Sequence, residues 1–283
     1  MRAYWLWMVG LGVLACGCAG DDEPQEERTD APVEERPLCI SRIYGDGYEE
    51  RFVRGEDGCV IGWANSDMSC RFDYTDENLI RVHSERRDFT DTRYLHHYEE
   101  SLLLNKGLVD FCEGVWSVEE DGVVTPFKKY MVDFGYDDTG HLQTILWTQF
   151  DRNRTSDGWD ETRPWRWENK VYWDGDNITR FENAAGAKDP STVYTYTYLP
   201  IERQGAFMAF AMIMHHWCPL QYDGWFGKLP VNLVASVVIS EMRGIPATSE
   251  TTYEYVFEDG LVQSYSMAPG NGRNIERCLL WNR

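Results

Sequence analysis

Local signatures of catalysis are missing from this chain. Its 283 residues contain no GxSxG elbow, no HExxH pair and no glycine-rich phosphate loop. That removes the motif-borne routes to serine hydrolysis, zinc proteolysis and nucleotide binding. A Ser–His–Asp group assembled from distant positions leaves no such mark, and nothing indicates one. Metal-ligand spacing is missing as well, with no CxxC and no Cys/His cluster. Neighbours such as His96 and His97, or His215 and His216 near Cys218, diverge by about 100° on a helix and do not easily share an ion. Cations are scarce: 27 Lys and Arg stand against 47 Asp and Glu, a net charge of −20. Such a field repels phosphate backbones and excludes nucleic acid as a partner. No cofactor is called for.

Membrane-spanning apolar runs are missing too. The run over residues 3–15 falls short of the roughly 20 residues that cross a bilayer, and it reads as the core of a secretory signal. Val13, Leu14 and Ala15 stand directly before Cys16. This frame resembles the bacterial lipobox, with Ala15-Cys16-Gly17 ahead of Cys18 as a second frame. The resemblance implies a signal peptide over residues 1–15, cleavage before Cys16 or Cys18, and lipidation of that thiol, so that the membrane is a partner through the anchor. Residues 16–37 carry eight acids, two bases and no large apolar residue except Val33. They read as a disordered, self-repelling tether. Acids just behind the cysteine resemble the export signals of some outer-membrane lipoproteins, and no Asp follows Cys16 directly. The expectation is a cell-envelope protein anchored at the outer membrane.

What the chain has in abundance is one hairpin, rewritten. In MVDFGYDDTGHLQTILW, residues 131–147, Val132, Phe134 and Tyr136 alternate with Asp133 and Gly135, the period of a half-buried strand. Asp137, Asp138, Thr139 and Gly140 follow with turn chemistry, and Leu142, Ile145 and Trp147 begin the return. RFVRGEDGCVIGW, CRFDYTDENLIRV, VWSVEEDGVVTPF, VYWDGDNITRF and YVFEDGLVQSY repeat the plan at irregular intervals. The acidic turns Asp137/Asp138, Asp174/Asp176/Asn177 and Glu258/Asp259 lack the spacing of a calcium loop, and a turn needs only one Asp or Asn and one Gly. Two stretches read as helical: a turn within residues 94–104, and residues 207–217. In the second, Phe207, Met208, Phe210, Met212 and Met214 leave hardly any polar face, as in a buried helix.

The six cysteines beyond the leader, Cys39, Cys59, Cys70, Cys112, Cys218 and Cys278, form an even set. In an exported chain this predicts up to three disulfides with fifteen connectivities. Cys59–Cys70, flanking WANSDM, is the one pairing singled out.

The C-terminal half carries Tyr194, Tyr196, Tyr198 and Pro200, then Gly224, Gly227, Lys228, Asn232 and Leu233, then Tyr253 and Tyr255. This succession resembles a family of uncharacterised bacterial lipoproteins, a domain of unknown function with a porin-like β fold. The hairpin units are also similar to the YD-repeat shells of secreted toxins, whose regular spacing is absent here. The resemblance implies a fold and a tether, and no catalytic residues. The fold expected is mainly β: residues 38–283 as one domain, a large curled antiparallel sheet or open barrel of hairpin units with one buried helix.

Function is read from the tryptophans. Trp147, Trp159, Trp165, Trp167 and Trp173 fall within one long hairpin and its neighbour; exposed aromatic faces stack on sugars or apolar partner chains, and Trp159, Trp165, Trp167 and Trp173 are the candidates. The leading expectation is a non-catalytic binding module with a carbohydrate or protein ligand. The alternatives are an envelope hydrolase acting on glycans or peptides, and a lipid carrier.

Overall fold

The computed structural model describes residues 39–88, 90–152, 158–184, 190–203, 205, 217–242, 247–270 and 273–282. The signal peptide, Cys16, Cys18, the tether and residues 207–216 of the expected helix lie outside them.

Sixteen antiparallel strands make up nearly all the regular structure of the described residues. They are β1 (Cys39–Gly45), β2 (Tyr48–Arg54), β3 (Val60–Ala64), β4 (Met68–Asp76), β5 (Leu79–Arg87), β6 (Tyr94–Asn105), β7 (Leu108–Glu120) and β8 (Val123–Tyr136). The second half holds β9 (Leu142–Asp151), β10 (Trp165–Asp174), β11 (Asn177–Asn183), β12 (Thr192–Glu202), β13 (Asn232–Glu241), β14 (Ala247–Glu258), β15 (Leu261–Pro269) and β16 (Ile275–Asn282). Each strand pairs with its neighbours in sequence, and β1 pairs with β16 from Cys39↔Asn282 to Tyr44↔Cys278. The barrel is therefore closed, where an open or merely curled sheet was also consistent with the pattern. Closure leaves no edge strand to template aggregation.

All six repeated segments fold as hairpins, and the turns show why. Asp46, Asp121 and Asp259 take positive φ and are each followed by a glycine that does the same. That is the two-residue turn whose twist matches the flanking strands, and Asp-Gly is among its preferred pairs. At the tip of the β8–β9 hairpin, Asp137 Oδ1 accepts the N–H groups of Thr139 and His141, both at 2.9 Å.

The core lies inside the barrel. Val132, Phe134, Leu142, Ile145, Val171, Ile178, Val237 and Val262 face inward and are buried. Residues 217–231, ahead of β13, fill one end as a plug. Its short helix α1 (Cys218–Tyr222) is flanked by Trp217 and Phe226, and these two rings stack at 6.0 Å. Val109 N–H donates to Trp225 O (2.8 Å), Lys228 N–H to Gly140 O (3.0 Å) and Val231 N–H to Asp176 O (3.1 Å). The plug thus hydrogen-bonds the hairpin turns around the rim. Gly227, at φ +86, permits one of these approaches, because the Gly140 carbonyl stands where a Cβ would be.

The outer wall is charged. Arg71–Asp73, Lys129–Glu113, Lys170–Glu168 and Arg180–Glu182 form ion pairs on it, and His83 pairs with Glu99. Apolar side chains such as Val53, Leu146 and Val256 are exposed among these charges, so the wall is mixed and the interior apolar, unlike transmembrane barrels, which turn an apolar band outward and a polar lumen inward.

Two local expectations are corrected. Residues 94–104 form no helical turn; they belong to β6, paired along its length with β5 and β7. The misreading has a cause: Glu100 takes an inward slot between Tyr98 and Leu102 and hides the alternation. Gly114 makes that slot, since a Cβ there would meet the Tyr130 ring and the Glu100 stem. Tyr130 and Trp217 then hydrogen-bond the carboxylate, the indole N–H at 2.8 Å. No disulfide is seen among the described residues. Cys70 stands opposite Trp63 in the ladder, so Cys59 lies roughly 13 Å further along by strand rise, far beyond disulfide reach.

Candidate functional site

The four tryptophans singled out from sequence are not gathered into one strip. Trp165 is exposed on β10. Trp159 sits in the preceding loop, bridged to Arg152. Trp167 stacks on Trp147 at 5.5 Å and 3°, and Trp147 stacks on Trp217 at 5.6 Å and 10°. Trp173 lies against His141 at 4.4 Å and donates its N–H to Leu142 O. Two of the four thus support the core, as does Trp147 of the same hairpin; Trp217, which continues the stack, was not among the tryptophans noted in the sequence.

The histidines do structural work. His141 is buried between Asp137 and Asp176, with 3.1 Å to each. His96 bonds Asp88 through Nε2 and accepts the Trp116 indole N–H through Nδ1. With both ring nitrogens taken, neither is a ready general base. Among the described residues, no group of His, Cys, Asp and Glu could hold a metal ion.

The feature built like a binding site is a cavity of about 530 Å³ at the plugged end. It opens between the ends of β1 to β3 and the plug, and its polar lining is Arg54, Asp57, Arg203, Asp223 and Lys228. This volume falls in the range of small-ligand pockets. Hairpin geometry brings the β2–β3 loop to the rim, where Arg54 meets Asp223 at 2.7 Å, with both side chains below 10% exposed. Arg54 also donates to Gly58 O, and Val60 N–H donates to Asp223 Oδ2. Cys39 and Cys59 line the same space. Burial pushes both thiols up, Cys59 to about 11 with help from Asp57 and Asp223. Thiols held protonated are poor nucleophiles, so the cavity is not arranged for cysteine catalysis.

Arg203 differs from Arg54 and Lys228, the other cations of the cavity. Its Nε donates to Pro230 O at 2.9 Å and a terminal nitrogen to Gly205 O. Among the described residues no carboxylate pairs with it. Burial lowers its pKa from the usual arginine range. The lining comes from segments far apart in sequence, the end of β2 with its loop, Arg203 and residues 222–229, so the Gly224, Gly227 and Lys228 noted in the sequence mark only one side of the site.

No family model and no curated relative matches the chain. Solved structures do. A porin-like protein from Bacteroides uniformis aligns with TM-score 0.50 and 13% identity, over 86% of this chain and 96% of that one. A porin-like protein from Bacteroides vulgatus aligns with TM-score 0.54 and 11% identity, over 86% and 98%. The fold is that of a porin-like barrel. At these identities the likeness is one of fold alone; it agrees with the porin-like β fold expected from the C-terminal motifs and is silent on the lipobox and on YD repeats.

Proposed function

We propose that this is a lipid-anchored protein of the cell envelope, held at the outer membrane through Cys16, whose plugged barrel is a non-catalytic binding module and not a pore. One observation carries the reading: the barrel wall is charged and its interior is apolar and filled. An Arg or Lys on a lipid-facing strand costs about 2–4 kcal/mol at the bilayer midplane, and Arg71, Lys129, Lys170 and Arg180 all stand on the wall. A barrel of this kind favours water, so its attachment to a membrane falls to the N-terminal cysteine. Among the described residues the barrel interior is lined by buried apolar side chains and occupied at one end by the plug, which weighs against an aqueous channel and against a lipid carrier. The two cavity thiols, held protonated, and the two fully bonded histidines weigh against hydrolysis.

Fractionation with a carbonate wash tests the proposal. The wild-type chain should remain with membranes and Cys16→Ser should become soluble. If Cys18→Ser alone releases it, the anchor is Cys18. If neither does and the protein resists carbonate, the wall lies in lipid and the reading fails.

A further inference from the structure

We propose that the cavity at the plugged end binds a small organic anion, its carboxylate taken by Arg203 with Lys228 and its apolar body lying on Tyr222 and Leu229. This deepens the reading of the protein as a binding module and rests on it.

The argument begins with charge. The chain carries −20, and several of its surface cations stand beside acids: Arg71 by Asp73, Arg93 by Asp91, Lys129 by Glu113, Lys170 by Glu168 and Arg180 by Glu182. In the cavity the pattern breaks. Arg54 is answered by Asp223, and Lys228 reaches Asp176 at 3.5 Å. Among the described residues Arg203 has only the carbonyls of Pro230 and Gly205. A partly buried cation without a counter-ion is costly, and two carbonyls engage only part of a five-donor fork. That planar fork matches a carboxylate or a phosphate. Tyr222 and Leu229 supply apolar surface in the same lining. The ligand class is therefore an anion with an apolar body, and Asp57 and Asp223 in the same lining disfavour a polyanion.

The test uses the full chain in a nonionic detergent, titrated calorimetrically with benzoate, its neutral isostere benzamide, and phenyl phosphate. Benzoate should bind and benzamide should bind at least about tenfold more weakly, the loss expected when a charged hydrogen bond becomes neutral. Arg203→Gln should weaken benzoate by about tenfold or more and leave benzamide unchanged. Should Arg203→Gln unfold the plug, Cys59→Trp fills the cavity from its other wall and should abolish binding in a folded protein. Phenyl phosphate binding more tightly than benzoate would overturn the carboxylate assignment. Equal binding of benzoate and benzamide, benzoate binding that survives both variants, or no binding at millimolar benzoate would overturn the proposal. Any of these leaves the tethered, plugged barrel standing, because fractionation decides that separately.

Discussion

Removing Asp223 should destabilise the protein far more than removing Asp73, although both carboxylates make short ion pairs. The Arg71–Asp73 pair, at 2.6 Å, is closer than Arg54–Asp223 at 2.7 Å. Distance therefore predicts that Asp73 matters at least as much. Burial predicts otherwise. Arg71 and Asp73 are 67% and 43% exposed, where water screens the pair and a surface bridge is worth about 0–1 kcal/mol. Arg54 and Asp223 are 8% and 9% exposed. Asp223→Ala leaves the guanidinium buried and unpaired, and also strips the Val60 N–H of its acceptor. Breaking a buried pair from one side costs about 3–5 kcal/mol, and an orphaned buried donor adds about 1–3 kcal/mol. Equilibrium unfolding in urea should thus show a loss of at least about 3 kcal/mol for Asp223→Ala and under about 1 kcal/mol for Asp73→Ala. Arg54→Met combined with Asp223→Ala should recover part of the loss, since no bare charge remains. Equal effects of the two alanine variants would refute the reasoning, and so would a double variant no better than Asp223→Ala.

Trp217→Ala should cost about 3–5 kcal/mol by removing the centre of the aromatic stack, whereas Trp165→Ala should stay within about 0.5 kcal/mol, read by the same unfolding curves. Gly227→Ala should lower the thermal midpoint clearly more than Gly122→Ala: both sit at positive φ, but only Gly227 has a carbonyl in the way of the new methyl. The amide donors at the β8–β9 tip, His141 N–H first, hold Asp137 below the usual carboxylate range. Its contribution is therefore complete above about pH 4 and lost as pH falls through the lower folded value; Asp137→Asn should flatten that acid limb. Cys112, fully buried with its thiol pushed up by burial and Glu100, should resist alkylation until the protein is unfolded. Labelling of Cys59 should accelerate up to about pH 11.

The hairpins were legible because their causes are local. Period-2 alternation and an Asp-Gly turn each act within a few residues, so VWSVEEDGVVTPF and YVFEDGLVQSY declare their folds unaided. The Gly-x-x-Gly-Lys stretch could be noticed but not interpreted, because Gly227 is explained only by the Gly140 carbonyl. Closure depends on β1 meeting β16 across more than two hundred residues, and no local pattern encodes that register. The same holds for Glu100, whose inward place within the stretch read as a helical turn is explained only by Gly114, Tyr130 and Trp217 around it. Trp167 and Trp173 have the composition of a binding surface, and only the stack beneath them makes them core. Arg54, Cys59, Arg203 and Asp223 are scattered along the chain and meet because sixteen strands return to one rim and a plug seals it. Sequence by itself determined the strands and turns, whose energies are short-range; the closed wall, the filled interior and the cavity were decided by tertiary structure, because burial and unpaired charge are properties of neighbours that the chain brings from far away.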